Sequence, residues 1–379
     1  MVLSSLQLEN YRGFQQYRLS GLARVNLLVG RNNCGKTSIL EAVQLLASQG
    51  DPRILTRIAT QRGEMISVGE EREEIYPDVS HFFHGHEFKP NISFNIKGGN
   101  QFGNISMRLV PLAELDERQL LFFDELANFR RTSVISDAMS GLREVFALKV
   151  EGDKSNPSHA VFPVTNEGAL LLEQSRYARL GKWRREDVAA VQFITPDSLE
   201  PRMMSQMWDK VITESREAEV IKAMKILEPE LANIFFLSGE KAFRFGRTGI
   251  LVSYEDVKRK RVPLGSFGEG MRRLLALSLS LNRSQGGILL VDEIDTGLHY
   301  SILGDMWLLL VSAAKQYDIQ VFATTHSLDC IRGLAWLCEN HHELANEVSV
   351  QKIDRCSEEA VALDSKKIQI AIEQDLEVR

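Results

Sequence analysis

Gly30-Arg31-Asn32-Asn33-Cys34-Gly35-Lys36-Thr37-Ser38 lies between an apolar run, Val25-Asn26-Leu27-Leu28-Val29, and an apolar-periodic one, Ile39-Leu40-Glu41-Ala42-Val43-Gln44-Leu45-Leu46. That order predicts strand, glycine turn, helix, and the spacing G-x-x-x-x-G-K-[ST] is that of a phosphate-binding loop. Each residue type has a reason. Glycines let the backbone curl so that successive N–H groups converge on phosphate oxygens, and the helix N-terminus adds partial positive charge. Lys36 brings a full charge to the β- and γ-phosphates, and Thr37 offers a hydroxyl to Mg²⁺. The alternative is a chance pattern at a tight turn, and the strand-before, helix-after context argues against it.

A phosphate loop needs acids to complete it, and they stand far downstream. Ile288-Leu289-Leu290-Val291-Asp292-Glu293 reads as a buried parallel strand ending in two carboxylates. The carboxyl ends of such strands are where α/β sheets bind ligands. Asp292 is expected to hold Mg²⁺ and Glu293 to orient the attacking water or take its proton. Ile319-Gln320-Val321-Phe322-Ala323-Thr324-Thr325-His326-Ser327 is a further apolar strand. His326 at its end can hydrogen-bond a γ-phosphate oxygen. Between them, Pro263-Leu264-Gly265-Ser266-Phe267-Gly268-Glu269-Gly270 opens a leucine-rich helix, either as a plain glycine-rich helix start or as a second N-terminus able to hold an anion.

Upstream of the loop, Leu6 to Phe14 alternates apolar and polar and predicts an edge strand turning at Gly13, with a second short strand over Gln16 to Leu22. Arg12 is either a solvated strand-end arginine or a group reaching nucleotide or DNA. From Gln49 to about Val188 the parallel-sheet pattern disappears. Ile92–Ile96 and Ile105–Val110 predict a hairpin through Gly98-Gly99-Asn100. Leu115–Arg131, Ala138–Phe146 and Glu167–Arg179 predict helices. His81-Phe82-Phe83-His84-Gly85-His86 predicts a packed turn, since cysteine or carboxylate partners at ligand spacing are missing. Arg176-Tyr177-Ala178-Arg179-Leu180-Gly181-Lys182-Trp183-Arg184-Arg185 is the clearest basic-aromatic cluster, a solvated helix end or a phosphate-backbone contact. Further on, Ala242–Gly246 and Ile250–Tyr254 predict a hairpin turning at Gly246 to Gly249.

The 379 residues suffice for a large core and suggest two domains or one with an insertion. A net charge of −6 gives no global attraction to nucleic acid or anionic lipid, so any DNA contact must be local. The four cysteines show no metal-type pairing, and Cys34 lies inside the phosphate loop, which favours a reducing cytoplasm over a disulfide framework. The first ten residues lack the apolar core of a signal peptide, and no apolar run is long enough to span a membrane.

Taken together, these stretches resemble ABC-type ATPase heads of the SMC/RecF class, and most of all OLD-like AAA ATPases. Asn10-Tyr11-Arg12-Gly13-Phe14 is similar to their N-terminal "NFRGF" turn, and G-R-N-N-C-G-K-T to the OLD-type loop. SMC heads usually carry glycine where Asn33 stands. The resemblance implies an α/β fold: a P-loop NTPase head of ABC-ATPase type with a mixed sheet and an inserted mixed α+β and helical lobe. Its parts would be residues 1–48, the head's first segment; 49–188, the inserted lobe; and 189–379, the head's second segment. It implies ATP contacts from Gly30, Asn32, Asn33, Gly35, Lys36, Thr37, Ser38, Arg12 and, at a Q-loop position, Gln192. Lys36, Glu293 and His326 would be catalytic, with Mg²⁺ on Thr37 and Asp292. Ser266, Gly268, Glu269 and Gly270 would form a signature acting on a partner subunit's nucleotide. That signature reads Ser-Phe-Gly-Glu-Gly rather than Ser-Gly-Gly-Gln, and His299 stands where transporter heads place an aspartate.

Such heads dimerise or form larger homo-oligomers and act with a separate effector, in some cases a nuclease, often in anti-phage defence. OLD proteins often carry a Toprim nuclease domain. The stretch after Asp292 is short and no Asp-x-Asp pair occurs, so that domain is expected to be absent here. Two other readings follow from the same residues: a RecF-like DNA-binding ATPase in repair, and a nucleotide-held scaffold with negligible hydrolysis.

Overall fold

A computed structural model describes residues 2–68, 74–115, 146–152, 160–171, 190–197, 199–237, 249–256 and 258–373. The chain opens with β1 (Leu6–Tyr11) and β2 (Phe14–Leu19), an antiparallel pair in which Tyr11 faces Phe14 across Arg12-Gly13. Next come β3 (Val25–Val29), α1 (Lys36–Ala47) and α2 (Pro52–Arg62). β3 is buried at every position, which requires cover on both faces of its sheet. Asp51 caps α2 by accepting from the Arg53 N–H, Pro52 sits at its first turn, and Gly63 in the left-handed region ends it.

β4 (Met65–Val68) and β5 (Glu74–Pro77) form a separate hairpin. β6 (Ser93–Gly98) and β7 (Asn104–Pro111) form the hairpin expected from Ile92–Ile96 and Ile105–Val110, with Ile96 opposite Ile105. With β8 (Phe146–Gly152) and β9 (Ala160–Val164) they extend the first two strands into one antiparallel sheet, ordered β2-β1-β6-β7-β8-β9. Residues that precede the phosphate loop therefore share a sheet with strands contributed from the 49–188 segment.

The helix expected from Glu167 does not begin there. Gly168 has φ +96°, and the backbone groups around it are used elsewhere: Leu170 N donates to Pro77 O, and Ala169 and Leu170 bridge to Asp78 and Val164. Residues 172–179 of that stretch lie outside the described residues. So do the other two expected helices, apart from Leu115 in a turn and Phe146, which starts β8.

The remaining elements are β10 (Val191–Ile194), α3 (Pro201–Thr213), α4 (Glu217–Met224), β11 (Leu231–Phe236), β12 (Ile250–Tyr254), β13 (Val262–Pro263), α5 (Glu269–Arg283) and β14 (Ile288–Val291). After them come α6 (Leu303–Gln316), β15 (Gln320–Thr324), α7 (Leu328–Asn340), α8 (His342–Ala345), β16 (Val348–Lys352), β17 (Val361–Leu363) and α9 (Ser365–Glu373). β12 takes β11 on one edge and β13 on the other. The expected partner, Ala242–Gly246, lies outside the described residues, and both edges of β12 are already used.

The second large sheet runs β10-β14-β15-β3-β16-β17, parallel except for β17. Period-two alternation splits its side chains between two cores. Leu289, Val291, Val321 and Ala323 pack with α3 to α7, whereas Ile288, Leu290 and Phe322 pack with α1 and the antiparallel sheet. Parallel pairing also aligns carboxyl ends. The residues after β3, β14 and β15 thus emerge side by side, although 255 positions separate Thr37 from Asp292. Among the described residues no helix is long and apolar enough to cross a membrane.

Candidate functional site

The loop after β3 is shaped by close approaches. Gly30 has φ +146°, and a Cβ there would stand 2.5 Å from Ile353 O, beyond the end of β16. Gly35, at φ +99°, is the residue before α1, and a Cβ on it would overlap the Phe14 ring. Phe14, next to the Arg12-Gly13 turn, thus covers the loop. Asn33 has φ +59°, a conformation that Asn tolerates better than most residues and that explains how it replaces glycine. Lys36 Nζ curls back over the loop, donating to Gly30 O at 2.8 Å and Arg31 O at 3.0 Å.

Facing it, Asp292 accepts from Thr37 Oγ1 at 2.9 Å and from Thr324 Oγ1 at 2.5 Å, one bond to each carboxylate oxygen. Thr324 Oγ1 in turn accepts from Glu293 N at 2.8 Å. These bonds hold Glu293 at φ +49°, a left-handed backbone rare for a side chain of this size. The Glu293 carboxylate takes Thr296 Oγ1 at 3.3 Å and stands 3.9 Å from His326 Nδ1. Both side chains are half-exposed at the mouth. Ser327 caps α7 through Cys330 N, and Thr325 binds Asp295 Oδ1 at 2.6 Å, so the turn carrying His326 is tied at both sides.

Arg273 is a residue that the sequence reading passed over. It is 0% exposed within α5. Its Nη1 donates to Thr195 O at 2.6 Å, and its Nη2 to Asp292 O at 2.6 Å and Glu293 O at 2.8 Å. Burial pulls its pKa down to about 10, while Asp292, Asp295, Glu269 and Glu293 act in the opposite sense. It keeps its proton at neutral pH and ties the helix start to the ends of β10 and β14. The available signal was an arginine on the same helix face as Leu277 and Ser280, both buried.

Ser266, Gly268 and Glu269 are exposed, on a short turn leading into α5. Gly268 has φ +85° with open space around it, whereas a Cβ on Gly270 would meet Gly297 O at 2.6 Å. The turn after Glu293 therefore packs beside this one. Glu269 pairs with Arg272 of its own helix, and His299 Nδ1 bonds Ser301 Oγ at 2.9 Å.

Two expectations are corrected. Arg12 is not available to nucleotide or DNA: it is 4% exposed, its Nη atoms hold both Glu64 oxygens at 2.8 and 2.9 Å, and its Nε pairs with Glu41 at 2.9 Å. Its guanidinium also lies 4.8 Å from the Phe82 ring centre. Gln192 pairs in register with Leu289, three residues short of Asp292 and so roughly 10 Å back from the carboxyl edge. Its amide faces Met203 Sδ at 3.9 Å.

The histidine-rich segment forms the expected packed turn, with Phe82 and Phe83 buried and His81 and His86 in contact through their Nδ1 atoms at 3.1 Å. The Arg176–Arg185 cluster lies outside the described residues.

A family profile described as "AAA domain, putative AbiEii toxin, Type IV TA system" matches residues 25–329. An "ATP/GTP phosphatase" of Helicobacter pylori is 24% identical, over 87% of this chain and 86% of its own length. A "DNA replication and repair protein RecF" of Limosilactobacillus fermentum is 22% identical, covering 86% of this chain and 93% of that protein. Among solved structures, the SMC head domain from Thermotoga maritima covers 96% of this chain and 99% of its own, with 13% identity and a TM-score of 0.39.

Proposed function

The chain belongs to the AAA-domain family that this profile defines, as an ATPase head of the ABC type, and from that premise we propose that it binds and hydrolyses ATP in the cytoplasm. The observation that carries this is the Thr37–Asp292 contact at 2.9 Å, which joins the phosphate loop to the strand-end acid. The similarity to the "ATP/GTP phosphatase" of Helicobacter pylori supports the same reading.

Thr37 and Asp292 offer a hydroxyl and a carboxylate at one point, a hard-oxygen donor set that suits Mg²⁺. When bound, that ion would neutralise charge on the β- and γ-phosphate oxygens. Lys36 binds the same oxygens, and the N–H groups of Asn32, Asn33, Gly35 and Ser38 enclose the rest. Glu293, held by its strained backbone at the mouth, accepts the proton of the attacking water. His326, 3.9 Å away, hydrogen-bonds the γ-phosphate. The direct test is steady-state phosphate release. Lys36→Ala should lose at least about 100-fold, since it removes the charge on the reacting phosphates. A wild-type rate no higher than that of Lys36→Ala would overturn the hydrolytic reading and favour the nucleotide-held scaffold.

The exposed turn holding Ser266, Gly268, Glu269 and Gly270 supports a head-to-tail homodimer in which each copy completes its partner's site. Through that nucleotide-controlled dimer the protein would govern a separate effector in OLD-like anti-phage defence. A second reading, RecF-like action on DNA, is favoured by the Limosilactobacillus fermentum relative. It predicts duplex binding whose affinity falls steeply between 50 and 200 mM salt and weakens in Arg184→Ala/Arg185→Ala. Absent or salt-independent binding would remove it.

A further inference from the structure

Arg355, in the turn between β16 and β17, is assigned no role by the loop motif or by the acids facing it. The residue is exposed, yet its guanidinium is seated against the backbone of Gly13. A Cβ on Gly13 would stand 2.7 Å from Nη2 and 2.9 Å from both Cζ and Nε. Those near-equal distances put the guanidinium broadside to the glycine rather than end-on. Gly13 has no left-handed backbone angle, so what excludes a side chain there is the arginine. Nε also donates to Gly13 O at 3.4 Å. The turn itself is braced: Ile353 N donates to Val29 O at 2.8 Å, Asp354 N to the Tyr17 hydroxyl at 3.2 Å, and Cys356 N to Asp354 Oδ1 at 2.9 Å.

Strand order gives this position chemical meaning. In the parallel sheet β3 lies between β15 and β16. Glu293 and His326, after β14 and β15, stand at the γ-phosphate end of a nucleotide on the loop. A triphosphate laid across the carboxyl edge from that side carries its nucleoside toward β16, whose turn holds Arg355. The phosphate loop adjoins the same turn: a Cβ on Gly30 would meet Ile353 O, two residues before Arg355, and Phe14, next to Gly13, covers Gly35. A guanidinium is planar and weakly hydrated, and nucleobases stack on its face. With one face on Gly13, the other is free for a ring.

We propose that Arg355, seated on Gly13, is the platform on which the nucleobase stacks at the nucleoside end of the site. This rests on the nucleotide reading above. Stacking reads the face of a ring and not its edge, so the platform serves adenine and guanine alike.

The test uses the full chain and calorimetric titration with Mg·ADP, Mg·GDP and inorganic pyrophosphate, which carries the phosphates without a base. Arg355→Ala should raise the Kd for ADP and GDP about 5- to 30-fold, the range for losing one stacking partner, and leave that for pyrophosphate within about twofold. Arg355→Lys keeps the charge and loses the plane, so it should recover little of the affinity. Gly13→Ala, whose methyl group displaces the guanidinium, should weaken ADP in the same way. Gly13→Ala/Arg355→Ala should then be no weaker than Arg355→Ala.

An unchanged ADP Kd in Arg355→Ala would overturn the assignment. So would an equal loss for pyrophosphate or full recovery in Arg355→Lys, either of which would make Arg355 a charge on the phosphates. A loss confined to one of the two nucleotides would overturn stacking on the ring face, and losses that add in the double variant would remove Gly13 as the seat. If the wild-type protein bound neither nucleotide nor pyrophosphate, the proposed function itself would fail, a result distinct from all of these.

Discussion

Glu293→Gln is expected to slow ATP hydrolysis about 10²- to 10⁴-fold while leaving ATP binding intact, the range for removing a positioned general base. The substitution keeps the shape of the side chain, so it removes the proton acceptor without opening space. It also leaves the surrounding bonds in place. Glu293 N still donates to Thr324 Oγ1, and Thr296 still reaches the side-chain oxygen. Because Glu293 holds φ +49° through backbone bonds that the amide does not touch, the local conformation should persist. Phosphate release measures the loss, and calorimetric titration measures the retained affinity. The same variant reports on assembly: with hydrolysis blocked, sedimentation velocity should show a dimer with ATP and a monomer without it, as ligand linkage requires when nucleotide binds across an interface. A rate near wild type would remove Glu293 from the chemistry. A monomer under both conditions would remove the composite site.

Arg273→Met is expected to cost stability and activity together. Its two terminal nitrogens satisfy three backbone carbonyls, those of Thr195, Asp292 and Glu293, at a site with no solvent exposure at the arginine. An apolar side chain of similar length leaves those acceptors unpaired, at about 1–3 kcal/mol for each buried group. A loss of roughly 3 kcal/mol or more should appear as a fall of about 5 °C in melting temperature. Arg273→Lys should not rescue it, because a single ammonium cannot span carbonyls on two different strand ends. The kcat should fall further than stability alone requires, since two of those carbonyls belong to the acids that face the phosphate loop. Calorimetry and phosphate release on the same preparation check both parts. A variant that melts like wild type would show that the carbonyls find other donors.

Parallel β-strands buried on both faces are visible in sequence because they need largely apolar runs: β14 is unbroken, and β3 and β15 depart from apolar only at Asn26 and at Gln320 and Thr324. The β6–β7 hairpin was visible through its alternation. The helix expected from Glu167 does not begin there because local periodicity carries no information about the positive φ of Gly168, its carbonyl's bond from Val79 N, or the bridges of Ala169 to Asp78 and of Leu170 to Val164. Of the hairpin expected from Ala242–Gly246 and Ile250–Tyr254, the first strand lies outside the described residues; alternation identifies a strand, not its neighbour, and β12 pairs with β11.

The sequence by itself determined the phosphate loop, the acids Asp292 and Glu293 and the position of His326, because each depends on a few consecutive residues whose chemistry is local. Glycines at a turn, a lysine at a helix start and carboxylates after an apolar strand keep their meaning wherever the rest of the chain goes. Only the tertiary structure decided where the long cations end. Arg12, Arg62 and Arg273 carry the same side chain, yet one is locked between Glu41 and Glu64, one reaches Ser38 and one spans three strand-end carbonyls. A guanidinium can extend in many directions from its backbone, and burial requires it to find acceptors. Which acceptors those are is set by elements that meet only when the sheets close around α1.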